Sequence, residues 1–180
     1  MTNQDDAKRN TSGHLRLFAY GSLKRGFWNH ERFCAGAVSI EEAVVRGRLY
    51  ETTSGLPVLQ VPEAEILANG TAAPCADVAT QARFEAEMAQ HPDLHAKGHT
   101  LRGWRLVRGE LMAFDDPQER LPGLDRLEGF RPGHSFLYRR VLLPVLGREK
   151  AEPAWAYVAD GRTNLMNARL NPYDEYVGQR

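Results

Sequence analysis

Leu15-Arg16-Leu17-Phe18-Ala19-Tyr20-Gly21-Ser22-Leu23-Lys24-Arg25-Gly26 is the stretch whose reading decides the fold. Its first six residues are mostly apolar, which predicts a strand over 15–20 that is central in its sheet. Gly21 and Gly26 bracket the turn that follows. Turns of this kind can aim consecutive backbone N–H groups into a concavity that holds an anion, and glycine lets a ligand approach the backbone closely. An ordinary strand-to-loop turn, with glycines serving geometry alone, fits the same residues.

Outward from this stretch, alternating and apolar runs predict further strands at 43–50, 58–61, 104–114, 138–143 and 154–158. The third follows a turn at Ser54-Gly55-Leu56-Pro57. Many short strands with few long helices predict a closed or nearly closed mixed sheet. Val45-Arg46-Gly47-Arg48-Leu49-Tyr50 is echoed by Val107-Arg108-Gly109-Glu110-Leu111-Met112. A glycine inside a strand marks a bend, a bulge or a close backbone approach. Two strands bending at matched positions suit a small barrel, although the echo is too short to indicate a duplication.

Residues 62–103 interrupt the strand pattern. Within them, 77–90 is Ala-rich and helix-prone, with Phe84 and Met88 one turn apart, and His91-Pro92 ends it. This predicts an inserted helical element flanking the site. A second helix is expected over Pro117–Glu128, with Asp116 as N-cap, Pro117 in first position, Glu119 completing a capping box and Gly129 as the stop. Asn171-Pro172-Tyr173 is expected to cap a last short helix carrying Tyr176 and Val177. Residues 1–13 are polar and read as a disordered tail, leaving 14–180 as a single domain.

Composition narrows the function classes. The chain has 180 residues, 42% hydrophobic and 26% charged, ordinary values for one globular domain. Lys plus Arg and Asp plus Glu stand at 23 each, so there is no electrostatic footprint for nucleic acid or an anionic membrane. The pair Arg139-Arg140 reads as a local feature. The opening residues lack the apolar core of a secretory signal, and no apolar run approaches a membrane span. The expectation is a soluble, cytoplasmic protein in which Cys34 and Cys75 are reduced thiols without metal-ligand spacing. His91, His95 and His99 recur every four residues, but Pro92 and Gly98 interrupt any helix that would align them. A solvated loop is expected there, with no metal.

The helix over 117–128 holds the most informative residue. At about 100° per residue, Leu121, Leu124 and Leu127 define an apolar face, and Glu128 falls about 40° from its centre. Asp125 lies at the edge of that face. A carboxylate therefore stands where a leucine is expected. Burial raises a carboxylate's pKa, as a general base working near neutral pH requires. A frayed helix end, or pairing of Glu128 with Arg126 or Arg131, accounts for the same periodicity. Ser22 has no partner base in its spacing and lies outside Gly-x-Ser-x-Gly, so it is not expected to be a nucleophile.

The motifs taken together form a recognisable set. Phe18-Ala19-Tyr20-Gly21-Ser22-Leu23-Lys24-Arg25-Gly26, with Asn29-His30 beyond, resembles the opening motif of the gamma-glutamylcyclotransferase-like superfamily in its AIG2-like branch. Val107–Leu111 followed by Leu124–Phe130 resembles its second signature, and Tyr138–Val141 and Ala154–Val158 resemble its closing strands. The resemblance implies an α+β fold, a small mixed β-barrel with flanking helices. It implies conversion of a gamma-glutamyl amine or amino acid into 5-oxoproline and the free amine, without a cofactor. It matches Glu128 to the catalytic glutamate and Tyr20, Gly21, Ser22 and Leu23 to the substrate-binding turn. Tyr138 and Tyr157 are candidate wall residues, although an aromatic on a strand is more often core; Trp28 either rims the pocket or simply packs. The expected partner is a small gamma-glutamyl substrate, with the oligomeric state left open. A non-catalytic small-molecule-binding or regulatory module on the same fold is the alternative.

Overall fold

The computed structural model describes residues 13–91, 103–134, 137–161, 165 and 167–177. The strands are β1 (Leu15–Ala19), β2 (Ser39–Glu51), β3 (Pro57–Gln60), β4 (Ala68–Asn69), β5 (Arg105–Phe114), β6 (Tyr138–Leu146), β7 (Ala151–Ala159) and β8 (Arg169–Leu170). The helices are α1 (Trp28–Phe33), α2 (Pro74–Gln90) and α3 (Pro117–Glu128), with a 3-10 turn at Glu63–Glu65.

Five strands close on themselves in the order β2-β5-β1-β7-β6, with β2 and β6 meeting at Val44 and Leu146. The β1–β7 pairing is parallel and the other ring pairings are antiparallel, so the barrel is mixed. β3, β4 and β8 extend it at the edges. This is the small α+β barrel with flanking helices that the sequence led us to expect.

Alternation explains why β1 and β7 read as unbroken apolar runs. Phe18, Ala154, Ala156 and Val158 share one core cluster with Ala43, Val45, Val107 and Val145, the barrel interior. Leu15, Leu17, Ala19, Trp155 and Tyr157 join Leu121, Leu124 and Phe130 in a second cluster beneath the helices. Both faces of these strands are covered, so a polar residue enters only with partners, as Arg16 does with Glu85 and Glu152. The matched glycines of the echo are sites of close approach. A Cβ at Gly47 would meet Leu59 Cδ1 at 2.6 Å, and one at Gly109 would strike the Phe18 ring and the Ala19 carbonyl.

α2 starts three residues before the expected position, with Pro74 in its first turn. It is stitched to the barrel by polar side chains. Gln81 accepts from Arg16 N at 2.9 Å and donates to the His14 carbonyl at 2.9 Å, and Glu85 takes the Arg16 guanidinium at 2.8 Å through both oxygens. Asp77, 1% exposed, receives the equally buried Arg140 at 2.7 Å.

Two local expectations fail. No capping box forms at α3, because Arg120, one turn along, takes the Asp116 carboxylate as an ion pair at 2.8 Å. The last short helix is absent among the described residues. Asn171 instead folds the chain into a turn, accepting from Tyr173 N at 2.8 Å and donating to the Glu175 carbonyl at 3.0 Å, with Asp174 at φ 54°. An Asn side chain can imitate a backbone turn partner as readily as it caps a helix. The N-terminal tail, apart from Gly13, and His95 and His99 lie outside the described residues. Cys34 and Cys75 are free thiols. Among the described residues no helix is long and apolar enough to cross a membrane, and no group of His, Cys, Asp or Glu is arranged to hold a metal.

Candidate active site

The turn leaves β1 and closes by short-range backbone bonds: Lys24 N to the Gly21 carbonyl at 3.1 Å and Phe27 N to the Lys24 carbonyl at 3.2 Å. Gly26, at φ 83°, takes the left-handed conformation that suits glycine. Arg25 pins its far end by donating from N and Nε to Glu110, both at 2.8 Å. The residues just beyond fix its middle. Buried Asn29 donates from Nδ2 to Ser22 Oγ at 2.8 Å, and His30 Nδ1 meets the Leu23 carbonyl at 2.9 Å. The N–H groups of Gly21, Ser22 and Leu23 make no hydrogen bond to any described residue. Three donors are thus left in a pinned turn.

Gly21 also has a packing role. A Cβ there would meet Pro57 Cγ at 2.8 Å, so the close approach it permits is by the start of β3. The turn and the β2–β3 hairpin are thereby locked side by side.

α3 brings Glu128 to the opposite wall. Leu121 and Leu124 are fully buried against the barrel, and Leu127 and Glu128 are partly buried at the end that faces the turn. Gly129, at φ 67°, ends the helix, and Phe130 N bonds back to the Asp125 carbonyl at 2.8 Å. The helix end is therefore closed and packed. Glu128 makes no hydrogen bond or ion pair with any described residue, Arg126 and Arg131 included. Burial alone pushes its carboxyl from 4.5 up to about 7.

Tyrosines build the floor. Tyr20 Oη donates to the Tyr157 carbonyl at 2.7 Å and accepts from Leu59 N at 3.3 Å. Tyr138 Oη donates to the Pro57 carbonyl at 2.6 Å, and Tyr157 Oη donates to Asp125 Oδ1 at 2.7 Å. Burial raises all three phenols above their ordinary value, and the nearby Glu128 charge adds to each rise. These hydroxyls are neutral and committed to fixed partners.

One pocket of about 420 Å³ joins these parts. Tyr20, Gly21, Ser22, Leu23, Glu128, Tyr138 and Tyr157 all line it, with Phe18, Ala19, Asn29 and Pro57. Trp28, Leu56, Leu127, Gly129 and Leu137 complete the lining. Every residue singled out in the sequence for the site falls on this one pocket. Trp28 is 70% exposed at its rim and does not pack into the core. α2 contributes no side chain to the pocket, contrary to the expectation that it flanks the site. It packs on α3, where Gln118 donates to Cys75 Sγ at 2.9 Å, and it is linked to the site through Arg140, which lies between Asp77 and, at 3.4 Å, Asp125, the acceptor of Tyr157. Asn29 and Asp125 were visible in the sequence, beside the turn and at the edge of the helical face. Only the packing shows that one holds Ser22 and the other Tyr157.

The arrangement offers a raised-pKa carboxylate facing a turn with free N–H donors, in a pocket enclosed by aromatic and aliphatic groups. It presents a proton acceptor and backbone donors with no described partner on the lining of one small volume. The Ser22 hydroxyl is held by an amide, not by a base.

A family model described as gamma-glutamyl cyclotransferase, AIG2-like, matches residues 17–98 and 72–177. The chain belongs to this AIG2-like gamma-glutamyl cyclotransferase family. Among solved structures, an AIG2-like protein from Mus musculus is 19% identical, with a TM-score of 0.47 over 91% of this chain and 88% of that one. YkqA from Bacillus subtilis is 16% identical, with a TM-score of 0.45 over 82% of this chain and 36% of that one. This chain thus spans about a third of the length of the Bacillus protein. No curated protein matches significantly.

Proposed function

We propose that the protein is a cofactor-independent cyclotransferase that converts a gamma-glutamyl amine into 5-oxoproline and the free amine, with Glu128 as the acid/base. The observation that carries this reading is the Glu128 carboxylate, paired with no described residue and raised to about 7 by burial, on the same pocket as the 21–23 turn, whose N–H groups bond to no described residue. Family membership supports the reaction class.

The chemistry asks little beyond these parts. The α-amine and the γ-carbonyl of the substrate are tethered, so the pocket need only fold the glutamyl chain into a near-attack shape. Ionised Glu128 takes a proton from the α-ammonium. The freed amine nitrogen attacks the γ-carbonyl carbon, forming the new C–N bond, and the carbonyl electrons move to oxygen. In collapse the ring nitrogen gives up its second proton and the bond to the leaving amine breaks; that amine takes this proton and the one held by Glu128, departing as an ammonium and leaving a neutral lactam N–H. No water is consumed. The turn N–H groups serve the oxyanion or the substrate's α-carboxylate.

The test is 5-oxoproline release from a panel of gamma-glutamyl amines and amino acids. The wild type is expected to turn over at least one, and Glu128→Gln to lose at least a hundredfold in kcat. Saturable binding with no product from the wild type would instead favour a non-catalytic binding module. Loss of activity in Ser22→Ala, with Glu128→Gln active, would move the chemistry to the serine.

A further inference from the structure

The pocket has two ends of different chemistry. At the inner end lie Glu128 and the turn donors. At the outer end lie Trp28 and Leu56, while the half-buried Leu127 and Leu137 of the lining pack against the core. Trp28 and Leu56 are 70% and 47% exposed, large apolar side chains left at the mouth without cover. Trp28 stands at the start of α1 and Leu56 at the tip of the β2–β3 hairpin, so two separate elements supply this rim.

Charge is as uneven as hydrophobicity. Among the described residues that line the pocket, Glu128 alone carries a formal charge, and there is no lysine, arginine or histidine. Lys24 and Arg139, each next in sequence to a lining residue, pair with Glu175 and Glu63, and neither they nor the exposed Arg126 and Arg131 line it. Free N–H groups for one anion are grouped at the turn. A gamma-glutamyl substrate brings an α-carboxylate and, in turnover, an oxyanion, and one of these uses them. Among the described lining residues a second carboxylate on the leaving group meets no cation, only the Ser22 hydroxyl, and a second ammonium meets no carboxylate besides the one committed to proton transfer, only the neutral Asn29 Oδ1. Desolvating an unpaired charge costs far more than an apolar contact returns.

We infer that the leaving group this pocket selects is an uncharged, apolar amine, alkyl or aryl, held by Trp28 and Leu56, and not an amino acid or a diamine. The inference rests on the cyclotransferase reading for its gamma-glutamyl half. Its own content is the outer end. Each buried methylene contributes about a fourfold gain, so a homologous series of n-alkylamides should climb in affinity and in kcat/KM with chain length until the rim is filled. A flat stacking surface such as indole also suits an aryl ring.

The experiment compares gamma-glutamyl ethyl-, butyl- and hexylamide and the anilide with gamma-glutamyl-β-alanine and gamma-glutamyl-1,4-diaminobutane. Binding is measured by calorimetry on Glu128→Gln and turnover on the wild type. The apolar conjugates are expected to bind at least tenfold tighter than either charged one, with affinity rising along the alkyl series. In a Trp28→Ala, Leu56→Ala background that rise should flatten. Circular dichroism checks that the fold is intact, which the exposure of both side chains favours. Equal or tighter binding of the charged conjugates, or a rise that survives removal of both rim residues, would overturn the inference. The expected binding order without any 5-oxoproline would uphold the apolar end and overturn the catalytic reading. No binding by any conjugate would overturn both.

Discussion

Glu128 unites the physical features of the site in one residue. Its carboxyl is raised from 4.5 to about 7 by burial, which corresponds to about 3 kcal/mol in favour of the neutral form of the folded protein. The sign of the consequence follows from linkage. A group with a raised folded pKa contributes stability that is present below the unfolded value and lost as pH rises through the folded one. Unfolding free energy should therefore fall by about 3 kcal/mol between pH 4.5 and 7 on account of Glu128. Glu128→Gln should remove that component, so denaturant titrations at pH 5 and pH 8 should find the variant's advantage growing with pH. If the difference between the two proteins is flat across this range, the carboxyl is not desolvated. In turnover, the rising limb of kcat/KM against pH should centre near 7 and vanish in the variant. Tyr157→Phe belongs to the same scale. It takes the 2.7 Å donor away from Asp125, beside buried Arg140, and should cost about 1–2 kcal/mol in thermal or chemical denaturation.

At the scale of elements, the turn over 21–26 works because other elements hold it. Glu110 of β5 anchors Arg25, Asn29 of α1 anchors Ser22, and Pro57 of β3 fills the space beside Gly21. Gly21→Ala would drive a methyl into the Pro57 ring and should destabilise by about 1–3 kcal/mol. Because the displaced groups carry the free N–H donors, KM should rise as well. A variant with wild-type stability and kinetics would mean that the hairpin and turn are not locked together. Much of this level was legible in the sequence. The apolar run over 15–20, the glycine-bounded turn and the leucine face of α3 each predicted the element that formed. The capping box at Asp116 failed because an i,i+4 arginine competed for the same carboxylate. The turn at Asn171 was misread because asparagine caps helices and closes turns by the same hydrogen-bonding habit. Local patterns do not say which partner wins.

At the scale of the whole molecule, the insertion between β3 and β5 is attached behind the site. Asp77 of α2, Arg140 of β6 and Asp125 of α3 form a buried chain that ends on Tyr157 of the pocket. The Arg140 guanidinium also lies over the rings of Phe130 and Trp155, 5.1 and 5.4 Å from their centroids. Removing one member strands a buried charge. Asp77→Ala should cost about 3–5 kcal/mol, and the double replacement Asp77→Leu, Arg140→Met should cost less than the single one, as urea denaturation would show. A milder single than double variant would contradict the coupling. This level was closed to the sequence. Arg140 reads there as half of a basic pair, and nothing in its spacing places it 63 residues from its partner in a dry interior. The pocket itself was legible only in parts. Order along the chain brought Tyr20–Leu23 and Glu128 into one motif set and offered Trp28 for the rim, while Leu56's place beside it emerged only from the lining of the folded pocket.

The central claim is intramolecular aminolysis driven by Glu128 without water. A single-turnover reaction in ¹⁸O-labelled water, read by mass spectrometry, tests it most directly. The account predicts unlabelled 5-oxoproline from the wild type and a rate at least a hundredfold lower from Glu128→Gln. Free glutamate carrying ¹⁸O, or undiminished 5-oxoproline formation by Glu128→Gln, would contradict it.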